Sequence, residues 1–420
     1  MKKIIALMLA LSMLLTACAF AGAEEETTVI SIMWWGSQSR HDATTEMLHL
    51  YESTHPGIKF EMDYASWGDY WDVMAAKLQG GTMPDIMQNA YGSYITQYAE
   101  KGALEDLTPY IESGALNLDN CSAAVVSTGE VNGVLYGLPT GTNALTLMYD
   151  PAKVEDYDIP TFMTYSEYIE LSKQLYEEKG YTETFVSAPG ENQLRFWVRC
   201  HGIDVFADDG KSLGFEDASI VAELLELCAD AVSEGWGLDP LKTLAIDGFN
   251  EIASGDSWVT LHWTNELNAC EVGNGTELEM IAIPAYDDAE RAATYFQPTM
   301  LWSVTSSSQH KDEAVEFINW FTNDLAGYEI CGIDRGMPIS SEILAALTPN
   351  FDAQNQKIAA IIGEFSEDGR SSAIYKSEPA AASEIYSMFK DYADKVRYGE
   401  ITDYTAAAEE FMQKANDMLN

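Results

Sequence analysis

The chain has 420 residues, with 23 Lys and Arg against 67 Asp and Glu and a net charge of -44. An acid excess of that size excludes a protein that grips nucleic-acid phosphates, and it repels anionic lipid head groups. The length suits about two or three domains with full cores, and six cysteines without a C-x-x-C pair argue against a disulfide framework or a zinc site.

The amino terminus reads as a signal peptide over residues 1–17. Lys2 and Lys3 form its basic start, and Ile4 to Leu15 is an apolar stretch too short to span a bilayer comfortably. Its end, Leu15-Thr16-Ala17-Cys18, resembles a bacterial lipobox, which implies cleavage before Cys18 and a diacylglycerol on that thiol. Two acyl chains would hold the mature chain on the outer face of the cytoplasmic membrane without a spanning helix. Residues 18–28 then form a short acidic tether.

Val29 to Trp35 reads as a buried strand. A helix follows with Ala43, Met47, Leu50 and Thr54 on one face, and Ile58 to Tyr64 alternates as a second strand. Strand, helix, strand argues for a parallel sheet whose ligands gather at the carboxyl ends of the strands. Those ends hold Trp35, Gly36 and Ser37, then Trp67 and Tyr70. Arg40, just beyond, either faces a cleft or starts its helix and pairs with an acid. A helix through Tyr70 to Leu78 stops at Gly80-Gly81, and Met83 to Met87 begins a third strand. Asp85 stands at its start, open to a cleft role or to bracing its own loop, while Asn89 and Tyr91 stand at its far end.

The stretch from Gly133 to Asp150 reads as a crossing between lobes. Val134 to Leu138 and Ala144 to Tyr149 have strand length, and Gly141 and Pro139 confine the bend between them to Thr140–Asn143, which puts Thr142 and Asn143 at a cleft. Helices over Ser166–Lys179, Asn192–Cys200 and Ile220–Ser233 describe a second, more helical lobe. Ser257 to Asn265 ends a strand on Trp263 and Asn265, Leu278 to Ile283 is another strand, and Thr299 to Val304 returns to the first lobe. The helix Asp312–Leu325 should cover the first sheet with Ala314, Phe317, Ile318, Phe321 and Leu325. A third crossing falls near Gly332 to Pro338, and the helices Ala380–Lys395 and Tyr404–Leu419 complete the second lobe.

Several of these segments resemble family 1 of the extracellular solute-binding proteins, the sugar-capturing components of bacterial ABC importers. They are the lipobox, Gly80-Gly81-Thr82-Met83-Pro84-Asp85-Ile86, the crossing from Gly133 through Tyr149-Asp150, the passage from Phe249 to Asn265, and Arg335-Gly336-Met337-Pro338. The resemblance runs from about Thr28 to the carboxyl terminus. It implies an α/β, two-lobed periplasmic-binding-protein-like fold (type II) with three interlobe crossovers. Lobe 1 would cover 29–140 plus 299–332, and lobe 2 would cover 143–296 plus 336–420. It also implies a monomer that takes an oligosaccharide, delivers it to ABC permease subunits, and uses no cofactor or metal.

Sugars offer hydroxyl rims and weakly apolar C–H faces, so a sugar cleft needs flat aromatic walls beside hydrogen-bonding groups. Trp35, Trp67, Trp236, Trp263 and Trp302 adjoin Gly, Ser, Thr or Asn at strand ends or loops, with core packing the alternative for each. Trp71, Trp197 and Trp320 sit in helical patterns and read as core. Arg335 in the third crossing either faces the cleft or braces the hinge, and with Arg40 it leaves a uronate-containing ligand open. Enzyme signatures are poor: Gly210-Lys211-Ser212 lacks the first glycine of a P-loop, and neither H-E-x-x-H nor G-x-S-x-G occurs. A two-carboxylate glycoside hydrolase is the alternative reading.

Overall fold

The structure, a computed structural model, describes residues 27–188, 190–243, 252–253, 255–365, 370–372 and 378–420. The signal peptide, Cys18, most of the tether, and Phe249 with its neighbours therefore lie outside the described residues.

The strands in chain order are β1 (Thr28–Trp35), β2 (Ile58–Ala65), β3 (Ile86–Asn89), β4 (Glu130–Val131), β5 (Val134–Leu135), β6 (Leu138–Pro139), β7 (Thr142–Tyr149), β8 (Val259–Trp263), β9 (Glu279–Ile281), β10 (Phe296–Pro298) and β11 (Leu301–Val304). The first sheet runs β2-β1-β3-β11-β6 and the second β10-β7-β8, with β9 also on β7. β1, β2 and β3 are parallel, as expected. β11 departs from that expectation: it arrives from the second lobe and lies antiparallel between β3 and β6.

Alternation along β1 builds the first lobe as three layers. Ile30, Ile32 and Trp34 pack with Met47, Leu48 and Tyr51 of α1 (Gln38–Thr54) and with Phe317 and Phe321. Met33 and Trp35 point the other way, to Tyr70 and Met74 of α2 (Trp67–Gly80) and to Ile95 and Tyr98 of α3 (Ser93–Glu100). Neighbouring tryptophans thus serve opposite faces of one sheet. The expected helix Asp312–Leu325 is two helices, Lys311–Asn323 and Leu325–Cys331, because Asp324 takes extended geometry and caps the second through Ala326 N.

The second lobe surrounds β7 with the helices Tyr165–Lys179, Glu191–Cys200, Ser219–Ser233, Ala382–Arg397 and Tyr404–Leu419. The expected strand Val134–Leu138 is instead split. Asn132 and Gly133, both at positive φ, turn β4 into β5, and β6 joins the first sheet separately. An Asn-Gly pair is the strongest short hairpin signal, and here it overrides the continuous apolar run.

Three passages link the sheets, and they are bonded to one another. Thr142 and Met337 exchange backbone hydrogen bonds at 2.8 Å each, and Thr299 N donates to Gly141 O at 3.0 Å. Two glycines make this approach possible. A Cβ on Gly141 would fall 2.3 Å from Arg335 O, and one on Gly336, at φ 83°, would fall 2.4 Å from Thr299 Cγ2. Beyond the third passage the helix Ser341–Leu347 still packs on Leu325–Cys331, and Ser341 N donates to Asn120 O. The chain reaches the second lobe with Ala353–Phe365, against β9 and the helix Leu267–Asn274.

The five cysteines among the described residues, Cys121, Cys200, Cys228, Cys270 and Cys331, form no disulfide, and all but Cys121 are buried. No described helix is long and apolar enough to cross a membrane.

Candidate ligand-binding site

β1, β2 and β3 end together at Trp35, Ala65 and Asn89, and an aromatic wall rises beside these ends. Trp35 is buried and meets the edge of Trp67 at 4.9 Å between centroids, and it contacts Trp71 at 5.4 Å. Tyr94 of α3 stacks on Trp71 at 4.1 Å and meets Trp67 at 5.5 Å. Trp67 keeps 45% of its surface exposed, so the cluster has a solid back and an open front. Burial and the Glu191 carboxylate of the second lobe push the Tyr94 hydroxyl above its ordinary pKa.

Trp71 and Tyr94 are the wall residues that the sequence reading passed over. The signal was present for Trp71: it lies four residues after Trp67, so both occupy one face of α2. Tyr94 carries no such mark, because its place depends on how α3 packs.

A polar row runs across the base of the two lobes. The Arg40 guanidinium grips Asp334 with Nε on Oδ2 and Nη2 on Oδ1 at 3.3 Å, and Nη2 also reaches the Asp334 carbonyl at 3.2 Å. Asn265 Nδ2 donates to the same carbonyl at 3.0 Å, and Asn143 Nδ2 donates to Asn265 Oδ1 at 2.6 Å. One residue from each lobe and one from each of two crossings are thereby joined. Burial works against ionisation of Asp334, but Arg40 outweighs it and holds the carboxyl below the usual carboxylate range. Gly36 is bare for the same reason: a Cβ there would meet Arg40 Cδ at 2.5 Å. Ser37 is exposed and caps α1. Half-buried Trp263, paired with Leu145 near the hinge end of β7, and half-buried Tyr91, packed against the cores of both lobes, complete the setting. Thr142 contributes chiefly its backbone, which is committed to the crossing.

Other expected site residues are placed elsewhere. Tyr70 is fully buried, with its hydroxyl donating to Gln88 O at 2.6 Å under the sheet. Asp85 braces its loop: Ser31 N and Oγ and Ser308 Oγ all donate to it, and these bonds overcome burial to lower its pKa. Asn89 is buried against Ser303 and Ala90 N. Trp302 lies inside the first lobe against Phe317 and Phe321. Trp236 lies inside the second, its Nε1 donating to Glu234 at 2.9 Å. Arg335 is 1% exposed and donates to Thr44 Oγ1 at 2.7 Å and Gln88 Oε1 at 3.4 Å, over the Trp302 ring. Trp35 and Trp263 stand at the carboxyl ends of their strands; Trp302 also stands at that edge of the first sheet, since antiparallel β11 sets it opposite Gln88, but its side chain turns to the face that Phe317 and Phe321 cover.

The family model described as bacterial extracellular solute-binding protein matches residues 46–357, most of the chain. This chain belongs to that family. Among relatives of this solute-binding protein is a lactose-binding protein of Rhizobium radiobacter, 23% identical over 359 residues that cover 83% of this chain and 81% of the relative. Its fold is similar to an oligogalacturonide-binding protein of Yersinia enterocolitica in complex with saturated digalacturonic acid, at TM-score 0.79, 20% identity, and 93% and 98% coverage of the two chains. It is also similar to an ABC substrate-binding protein of Listeria monocytogenes in complex with cycloalternan, at TM-score 0.77, 18% identity, and 94% and 99% coverage. The solute-binding protein thus has the two-lobed α/β fold of these neighbours, with its aromatic wall and polar row between the lobes.

Proposed function

We propose that this solute-binding protein captures a neutral oligosaccharide between its lobes and delivers it to the permease of an ABC importer. The observation that carries this reading is an open aromatic wall beside amide and hydroxyl groups, with the neighbouring cations already neutralised. Trp67, Trp71 and Tyr94 suit the C–H face of a sugar ring, and half-buried Asn265 suits its hydroxyls, with buried Asn143 holding the Asn265 amide in place. Arg40 is paired with Asp334, and Arg195 with Glu378 and Glu191, so neither guanidinium is left to receive a carboxylate. The net charge of -44 adds long-range repulsion of an acidic sugar. Ligand that touches both lobes only when they approach shifts the hinge toward closure.

The test is a calorimetric and thermal-shift screen of the soluble form against matched neutral and uronate-containing oligosaccharides. A neutral ligand at about a hundredfold over Kd should stabilise folding by about 2.7 kcal/mol and be recovered intact by mass. Tighter binding of the uronate partner would overturn the neutral reading, and shortened products formed in proportion to protein would favour the hydrolase.

The lipobox supports an anchor on Cys18. Cys18→Ser is expected to release the protein from membranes in fractionation without changing ligand affinity, and a variant that stays bound would rule that anchor out.

A further inference from the structure

Trp34, His41 and Tyr64 form a further aromatic group at the carboxyl edge of the first sheet. Tyr64 of β2 pairs in register with Trp34 of β1, so both side chains leave the sheet on the face that α1 covers, opposite the face of Trp35. The Tyr64 ring stacks on His41 of α1, at 4.1 Å between centroids and 21° between planes, and meets Trp34 at 5.3 Å. Trp34 and His41 are buried, whereas Tyr64 keeps 46% of its surface open. That open part lies away from the two rings behind it, and the backing holds the ring in place before anything binds. Burial and the Arg40 cation lower the pKa of His41, so at neutral pH the stack joins two uncharged rings.

Among the described residues of the first lobe, Tyr64 and Trp67 are the two exposed aromatic side chains. They flank the end of β2. Only Ala65 and Ser66 separate them in the chain, and Gly36 lies beside Ala65, its N–H donating to Ala65 O at 3.2 Å. The floor between the two rings is thus made of small residues. Three residues of chain span at most about 11 Å, which puts both rings within reach of one elongated ligand. Because Tyr64 belongs to one face of the sheet and Trp67 packs on Trp35 at the other, no single sugar ring can lie against both.

We propose that Tyr64, backed by His41 and Trp34, is a second sugar platform, and that the solute is an extended oligosaccharide with one ring unit on the Trp67 wall and a later unit on Tyr64. The platform rests on the oligosaccharide-capture reading and adds a length requirement to it. It lies wholly within the first lobe, so it does not depend on how far apart the lobes stand.

Calorimetry with neutral malto-, cello-, xylo- and galacto-oligosaccharide ladders, each from the monosaccharide to the hexasaccharide, reads affinity against length. In the ladder that binds, affinity for the unaltered protein is expected to step up about fivefold at the length that reaches Tyr64. Tyr64→Leu still covers Trp34 and His41 but offers no flat ring; it should remove the step and leave the shorter members unchanged. Tyr64→Phe should keep the step, and Trp67→Ala should weaken short and long members alike. Affinity that does not vary with length, a step that survives Tyr64→Leu, or an equal loss at every length in that variant would overturn the platform while leaving sugar capture in place. Failure of every ladder to bind the unaltered protein would overturn the capture reading and the platform with it.

Discussion

Arg335→Ala is expected to lose about 3 to 5 kcal/mol of folding stability while the folded fraction keeps its ligand affinity. The guanidinium fills the space over Trp302, and its removal leaves a cavity together with Thr44 Oγ1 and Gln88 Oε1 short of a donor. Burial already lowers the pKa of this group, and among the described residues no carboxylate lies in hydrogen-bond contact with it to offset desolvation. Arg335→Met, similar in volume and free of charge, should therefore recover part of the loss. Urea unfolding and calorimetry separate the outcomes. Weakened binding at an unchanged unfolding midpoint would put Arg335 on the ligand after all.

The second large effect separates two neighbours in the aromatic wall. Trp35→Ala should cost about 3 to 5 kcal/mol of stability, because this side chain is 6% exposed and supports Trp67, Tyr70 and Trp71 at once. Trp67→Ala, with nearly half its surface open, should leave the unfolding midpoint almost unchanged and weaken sugar binding about tenfold. If Trp67→Ala binds as tightly as the unaltered protein, the wall is not the sugar platform.

Much of the frame was legible because it depends on local pattern. An uncharged apolar run ending in aromatics marks β1, two-residue alternation marks β2, Pro139 and Gly141 mark the first passage, and Arg335-Gly336-Met337-Pro338 marks the third. Even the glycines have a readable purpose, although the partner that crowds each one appears only in three dimensions. What stayed hidden depends on distant pairing. Nothing in either segment says that Arg40 will meet Asp334, 294 positions away, or that Arg335, one residue on, will turn inward to Thr44. Asp334 and Arg335 are the central residues of a turn closed by Gly336 N on Ile333 O at 2.8 Å, and their side chains leave it in different directions, one to the interlobe row and the other to the core. Trp302 was hidden for a related reason: it lies at the cleft edge opposite Gln88, but the face its side chain takes, toward Phe317 and Phe321, is set by the pairing of a strand that returns from another lobe.

The cysteines have a practical consequence for following lobe movement. Burial pushes the Cys121 and Cys200 thiols up to about 11 and raises Cys228 and Cys331 as well, so almost no thiolate is present at neutral pH. From residue 27 onward the chain therefore offers maleimide reagents a quiet background without removal of native sulfur. A pair of cysteines engineered at exposed positions, one on each lobe, would carry donor and acceptor dyes selectively. Single molecules could then be watched opening and shutting, with the wild-type core left as it is.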